Sequence, residues 1–436
     1  MDQNMTLDEY ITSHCFNSFE KALLAERYPT WKHSCPEISD VNFIRLGMFR
    51  CMGAGNSGLH FLQSTNTVHN ELYASSTYFN ALSSGRRTKM LKAVEKESLK
   101  IYSEQLALYG IDYLQQFPEL AEYTVEAADG HFIDHACHTP KSDNGKVYAA
   151  GFIYALNLRN GLLRPLCCVT AGTKRTHEIP ALQRYIEGDN VGNKGRSMLT
   201  KKNLYIYDKA VTKYSWWDVQ KGKNNYMISV LKENSVSTKL SSIAFEKNEI
   251  NIGVESYSVY QTTGGVKFNL VKYRDPETKV LHSFITTLPQ NINPGTIAML
   301  YFKRWSIEKT FNNSKSDFKE RKAWSPHLNS LDNQMRLTAM TYNLMRVFEE
   351  ASKAEDPEKV HRSDLKYTKS LKKRDVAASK IGCFVNPLFF YARVTRISSF
   401  TIRMIQDSVL IGKSLGWLIN SLATNLIIPP LKLVGY

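Results

Sequence analysis

The chain lacks what would place it outside a reducing compartment or inside a membrane. Its seven cysteines are odd in number and scattered at Cys15, Cys35, Cys51, Cys137, Cys167, Cys168 and Cys383. No CxxC pair occurs, so no disulfide framework is legible and a reducing cytosol is the expected compartment. The group His131, His135, Cys137 and His138 has no second ligand pair at finger spacing, which argues against a structural zinc site. The longest apolar-leaning run, Val409 to Leu426, is interrupted by Lys413, Asn420, Ser421 and Asn425 and reads as a buried helix, not a membrane span. No basic amphipathic helix with a strongly apolar face suggests a lipid surface. The first ten residues, MDQNMTLDEY, are acidic and polar, unlike a signal peptide. No internal repeat is visible.

What is present is a globular composition with an excess of positive charge. The 436 residues are 43% hydrophobic and 22% charged, with a formal net charge of +15. A chain of this length buries a large core and divides into two or three domains. A surface this basic attracts polyanions, of which nucleic acid is the commonest.

Three textures follow one another. Residues 1–118 read as a helical N-terminal region, with apolar spacing at Phe43, Leu46, Phe49 and Met52 and Asp40 as a candidate cap. Gly53 to Gly58 satisfies GxGxxG, but no strand precedes it, so a turn between helices is expected. Arg86, Arg87, Lys89, Lys92, Lys96 and Lys100 form a basic run, open to two readings: a solvated helix face or a set of phosphate contacts.

From Tyr123 the order changes to three strands, a helix, a strand, a helix and a strand. Tyr123–Ile133, Val147–Leu158 and Leu162–Thr170 are the first three, the last two joined by the hairpin turn Asn160-Gly161. A helix at Glu178–Glu187, a strand ending in Tyr207-Asp208, a helix at Lys213–Lys221 and a strand at Tyr226–Leu231 complete it. This is the order of a ribonuclease-H-like α/β mixed sheet. Residues 234–291 alternate like a small β insertion, with strands at Ser256–Tyr260, Lys267–Tyr273 and Leu281–Thr287. One helix is expected from Pro294 to Phe318, capped by Asn293, and another from Leu331 to Glu350. The α/β core is thereby bounded at 119–350. Residues 351–436 read as a charged linker followed by a helical C-terminal region.

The stretch Tyr301 to Lys315, YFKRWSIEKTFNNSK, carries the sharpest pattern. On a continuous helix at about 100° per residue, Tyr301, Arg304, Glu308 and Lys315 fall within roughly 60° of one another. Leu300, Ile307, Phe311 and Phe318 form an apolar stripe to one side. Taken alone, the polar stripe is either a phosphate-facing constellation or a salt-bridged surface. Asp129 on the first strand, Asp208 after the fourth and Glu308 on the later helix give three carboxylates. Such a set can hold two divalent ions, which activate a nucleophilic oxygen and stabilise a leaving one in phosphodiester chemistry.

The spacing Y-x2-R-x3-E-x6-K, met by Tyr301, Arg304, Glu308 and Lys315, resembles the signature of a family of bacterial insertion-sequence DDE transposases. Asp129 in Ala128-Asp129-Gly130 and Asp208 in Tyr207-Asp208-Lys209 resemble the family's two aspartates. The resemblance runs from about residue 40 to 350. It implies a cut-and-paste transposase in which Asp129, Asp208 and Glu308 are catalytic and bind two Mg²⁺ (or Mn²⁺) ions, Asp129 bridging. It also implies DNA contacts by Tyr301, Arg304, Lys315 and Lys319. The implied partners are the element's terminal repeats, target DNA and a second copy of the chain, with no membrane and a cytoplasmic, nucleoid-associated setting. An inactive DNA-binding descendant and a stand-alone nuclease of the same fold are the alternatives. In some relatives a tryptophan in the β insertion captures a flipped base. None lies between Trp217 and Trp305 here, which leaves Tyr257, Tyr260 or Tyr273 to stack. His131 shares a strand face with Asp129, and a local hydrogen-bonding role is expected for it.

Overall fold

Strand β1 (Tyr123–Ile133) forms over the residues expected for it, and in a computed structural model of the chain eight further strands assemble with it into one sheet. The described residues are 38–355, without 52–56, 70–72, 142–144, 146, 148, 170–177, 190–201, 209–211, 277 and 317–319, together with 369, 372, 373, 376 and 379. Expectations for residues 1–37, for the Gly53–Gly58 turn apart from Gly58, for Lys319 and for residues 381–436 lie outside them.

The strands are β2 (Ala150–Asn157), β3 (Leu163–Val169), β4 (Lys202–Ile206), β5 (Asn225–Val230), β6 (Ser237–Ser242), β7 (Val254–Thr262), β8 (Lys267–Arg274) and β9 (Leu281–Thr286). Their order is β3-β2-β1-β4-β5-β9-β8-β7-β6. β1 is antiparallel to β2 and parallel to β4, and β4 is parallel to β5. The first five strands are thus consistent with a ribonuclease-H-like sheet. β6 to β9 run antiparallel and extend that sheet through the pairing of β9 with β5. The β2–β3 hairpin turns at Asn160-Gly161, where Gly161 takes φ +74°, a conformation that glycine adopts without a Cβ clash.

Helices cover both faces. On one side lie α1 (Asp40–Cys51), α2 (Gly58–His69), α3 (Ser75–Leu82), α4 (Gly85–Leu108), α7 (Pro294–Lys303), α8 (Trp305–Ser316) and α9 (Leu328–Glu355). On the other, α5 (Glu178–Asp189) and α6 (Tyr214–Lys221) pack Leu182, Ile186 and Trp217 against Ala128, Ile153, Tyr205 and Tyr207. Helix α9 is the pillar of the first side, lying against α4, α1 and β3. From Ser330 to Val347 it is buried all round, so its polar residues need internal partners. Asn343 clips the start of β3 by accepting from Leu163 N and donating to Leu163 O, each at 2.7 Å. Arg336 pairs with Glu95 at 2.7 Å and with Asp332 at 3.2 Å.

Several local expectations are corrected. Ser39, not Asp40, caps α1, its hydroxyl accepting from Asn42 N. Asp40 instead takes a bidentate pair from Arg86 at 2.7 and 2.8 Å. Arg87 is buried, donating to the carbonyls of Ile38 and Ser39, so these two arginines tie α4 to α1 and are not held out for phosphate. Lys89, Lys92, Lys96 and Lys100 do lie exposed on α4. Tyr257 and Tyr273 are buried in the sheet, and burial pushes both hydroxyls up to about 12. Tyr260 is half-buried and stacked on Phe268, so none of the three presents a free ring for a base.

The expected single helix over 294–318 is two helices meeting at Arg304. There the Arg304 N–H is shared between the Leu300 and Tyr301 carbonyls, and Ile307 N donates back to Arg304 O, a locally tightened turn. Asn293 makes no side-chain cap; its amide donates to Glu119. The cap comes from afar: Asn251, in the short 3-10 turn Glu249–Asn251, accepts from Gly295 N at 2.8 Å. Glycine is required there because a Cβ on residue 295 would overlap the Ile250 carbonyl oxygen. Gly295→Ala is therefore expected to cost about 1–3 kcal/mol. Urea unfolding monitored by circular dichroism checks this, and an unchanged midpoint would contradict the packing described.

Candidate active site

The site begins with strand register. β1 and β4 run parallel, with Ala127 paired to Ile206 as the last partners. Tyr207 N continues in strand direction by donating to Ile228 O at 3.1 Å. Two residues beyond the Ala127–Ile206 pair, both chains carry an aspartate, Asp129 and Asp208. Neighbouring strands are about 4.8 Å apart, and equivalent positions on them share a face. Leu204 and Ile206 point to the side of the sheet that packs α7, α8 and α9, whereas Tyr205 and Tyr207 point to the other. Alternation puts Asp208 on the α8 side, where Asp129 also lies.

Helix α8 supplies the third carboxylate through an arginine. Arg304 is 5% exposed and donates from Nη1 to Asp129 Oδ2 at 3.1 Å and from Nη2 to Glu308 Oε1 at 3.0 Å. Burial opposes its charge, but Tyr301, Asp129, Glu308 and Asp208 together outweigh burial and hold the guanidinium above its ordinary value. Its Nε–H, also buried, has no hydrogen-bond partner among the described residues. Tyr301 is buried with its ring 5.5 Å from the guanidinium carbon and 5.0 Å from the Phe284 ring. Burial raises the Tyr301 hydroxyl, and Arg304 partly offsets the rise. The tightened turn does not separate Tyr301, Arg304 and Glu308, which with Asp129 and Asp208 interact around one guanidinium. Lys315 lies in α8 by its backbone.

His131 does not face this cluster. It is buried, its ring 4.9 Å from Phe311 of α8, with Nε2 3.2 Å from Glu320 Oε2. The two atoms are close but not aligned as a hydrogen bond, and His131 Nδ1 has no partner among the described residues. The imidazole is a wedge between the strand that carries Asp129 and the helix that carries Glu308. Glu320 was not legible beforehand, because KSDFKERK reads as a solvated charge run. It is 3% exposed, and its Oε1 accepts from Thr338 at 2.9 Å and from Tyr154 at 3.5 Å. The chain around it then lies beside the end of β1: Asp134 N donates to Arg321 O, and Ala323 N to Asp134 O.

Among the described residues no three His, Cys, Asp or Glu side chains are gathered closely enough to ligate one metal ion. The donor chemistry nonetheless fits a hard divalent cation: three carboxylates surround a buried positive charge, and two of them are bound to it. With this geometry in place, the family comparison is decisive. A family model described as Transposase DDE domain matches residues 121–344, just over half of the chain.

The chain belongs to the DDE transposase family.

A comparison with curated proteins finds no significant match. The matched segment of this DDE transposase runs from the start of β1 into α9 and contains Asp129, Asp208, Tyr301, Arg304, Glu308 and Lys315. The family implies DNA as the partner. No helix among the described residues is long and apolar enough to cross a membrane.

Next to Arg304, Lys303 is buried and donates to Tyr113 O at 3.1 Å. Burial lowers it to about 7, with Asp112 opposing the fall and Arg159 adding to it. The folded chain thus holds this proton less tightly than the unfolded chain, where 10.5 is the ordinary value. Below about pH 7 both states are protonated and the cost of the buried charge is fully present; as pH rises from about 7 to 10.5 that cost is relieved. The melting temperature of the wild type is expected to rise relative to that of Lys303→Met across this window. A constant difference between the two melting curves from pH 7 to 10 would contradict the burial of a titrating lysine.

Proposed function

We propose that the chain is a cut-and-paste DNA transposase of the Y-x2-R-x3-E-x6-K signature group, with Asp129, Asp208 and Glu308 as its catalytic carboxylates. The observation that carries the reading is the placement of Asp129 and Asp208 two residues beyond the last parallel pair of β1 and β4, with Arg304 tying Asp129 to Glu308. Asp129, Asp208 and Glu308 would make up the donor set for two Mg²⁺ or Mn²⁺ ions. When bound, such ions supply an activated water or 3′-hydroxyl and neutralise the leaving oxygen. The protein's part is positional: β1 and β4 fix the two aspartates, and α8 fixes Glu308 against them. Arg304, Lys315 and Lys319 grip phosphates beside the scissile bond, and Tyr301 backs Arg304 through its ring.

The remaining organisation follows from charge and topology. Residues 1–118 contact the DNA end, with the exposed lysines Lys89, Lys92, Lys96 and Lys100 on α4 as phosphate contacts. Residues 119–350 form the catalytic core, and 234–291 are its β insertion, which here extends the sheet. Residues 351–436 serve dimerisation or further DNA contact, and the active form is a homodimer on paired ends. Water nicks the element's ends, and the freed 3′-hydroxyls attack target DNA.

The test uses duplexes that carry the inverted repeats flanking this reading frame. Glu308→Gln and Asp129→Asn are expected to lower Mg²⁺-dependent end cleavage by more than about a hundredfold, since even outer-shell changes cost 10–100-fold. End binding in a gel-shift assay is expected to persist. Undiminished cleavage by either variant would sink the assignment. Cleavage by the wild type that ignores terminal sequence would favour a stand-alone nuclease.

A further inference from the structure

The proposed phosphate grip, Arg304, is turned inward. The residue is 5% exposed, its guanidinium bound to Asp129 at 3.1 Å and Glu308 at 3.0 Å, with its carbon 5.5 Å from the Tyr301 ring. It therefore holds the two carboxylates that a divalent cation would need. Two features mark the arrangement as one partner set of two. Asp129, Asp208 and Glu308 carry three formal negative charges against the single positive charge of Arg304, so the cluster keeps a deficit of cationic charge. The Arg304 Nε–H remains buried without a hydrogen-bond partner among the described residues, so the guanidinium has not used its full fork of donors. A phosphate accepts such a fork as well as a carboxylate does.

Resting on the reading of Asp129, Asp208 and Glu308 as the metal-holding set, we propose that Arg304 is an exchangeable counter-cation. It holds Asp129 and Glu308 in the DNA-free protein and releases them to divalent cations as it turns to a DNA phosphate. Retaining the guanidinium between the carboxylates while dications bind there would place like charges in contact, and a phosphate beside the site offers Arg304 a replacement anion. Metal loading and DNA engagement are then positively coupled, because each favours the arrangement the other needs. A transposase built this way binds divalent cations more tightly once an end is seated. Glu308 is the half-exposed partner of the pair and Asp129 the more enclosed one, so release starts on the Glu308 side.

The proposal is tested on the full-length protein with Mn²⁺ alone as probe, free ion being counted by its electron paramagnetic resonance signal. Arg304→Gln is expected to bind Mn²⁺ about tenfold more tightly than wild type, a coupling of ordinary size. Asp129→Asn is expected to abolish that binding in either background. Equal or weaker binding by Arg304→Gln, with binding still lost in Asp129→Asn, would overturn the exchange and leave the metal site standing. Retention of Mn²⁺ by Asp129→Asn in both backgrounds would overturn the metal site itself and the exchange with it. A measurement on the wild type covers a variant that does not fold: the rate at which phenylglyoxal modifies Arg304, followed by peptide mass spectrometry. Release from the carboxylates predicts faster modification when Mn²⁺ is bound, and an unchanged rate with bound Mn²⁺ would overturn the proposal.

Discussion

The parallel pairing of β1 with β4 is the constraint on which the rest of the site depends. Parallel strands need a crossover, and here residues 134–201 supply it, folding β2, β3 and α5 between two strands that pair from Tyr123–Lys202 to Ala127–Ile206. A shift of one residue in that register would send Asp208 to the opposite face, where Tyr205 and Tyr207 pack against α6. The register is held from both sides: β1 pairs with β2 along its length, and β4 pairs with β5. Hydrophobic sorting does the same work, since Leu204 and Ile206 are buried on one face and Tyr205 and Tyr207 on the other. Placement of two like charges side by side follows from the packing of their apolar neighbours.

The cost of that placement falls on the surrounding polar groups. An unpaired charge in a buried position is expensive, and the fold answers with Arg304 inside the cluster; Glu320 and His131 lie close to one another behind it. The second pair sits where β1, β2, α8 and α9 meet, reached by Tyr154, Phe311 and Thr338. It joins the helix that carries Glu308 to the strand that carries Asp129 by contacts that never touch the cluster. Helix α9, buried from Ser330 to Val347 yet rich in Asn, Gln and Arg, pairs Asn343 with Leu163, Gln334 with Trp324 and Lys322, and Arg336 with Glu95 and Asp332.

Much of this was legible from residue order, for physical reasons that can be named. Strand β1 is rich in residues that suit a buried strand, and Asn160-Gly161 announces the β2–β3 hairpin because Gly161 takes φ +74° without a Cβ clash. Asp129, Asp208 and Glu308 stood out by the Y-x2-R-x3-E-x6-K spacing together with the strand order, through the family resemblance these carry. What escaped depended on tertiary contact. Strand β6 (STKLSS) is exposed and polar, so no alternation marks it, and it exists by pairing with β7. Ser39 displaced Asp40 as a cap because Arg86 claims the Asp40 carboxylate from another helix. The break at Arg304 is invisible to a 100° wheel, since it arises where the buried side chain meets Asp129. Glu320 looked like surface charge because its partners lie on three other elements.

The central claim is that Asp129, Asp208 and Glu308 converge on one face of the sheet to hold divalent cations. Anomalous diffraction from crystals of the protein grown with Mn²⁺ tests it most directly. The account predicts an anomalous peak in contact with the carboxylates of Asp129 and Asp208, within reach of Glu308. Mn²⁺ bound elsewhere with these carboxylates unengaged, or Asp208 on the α6 face of the sheet, would contradict it.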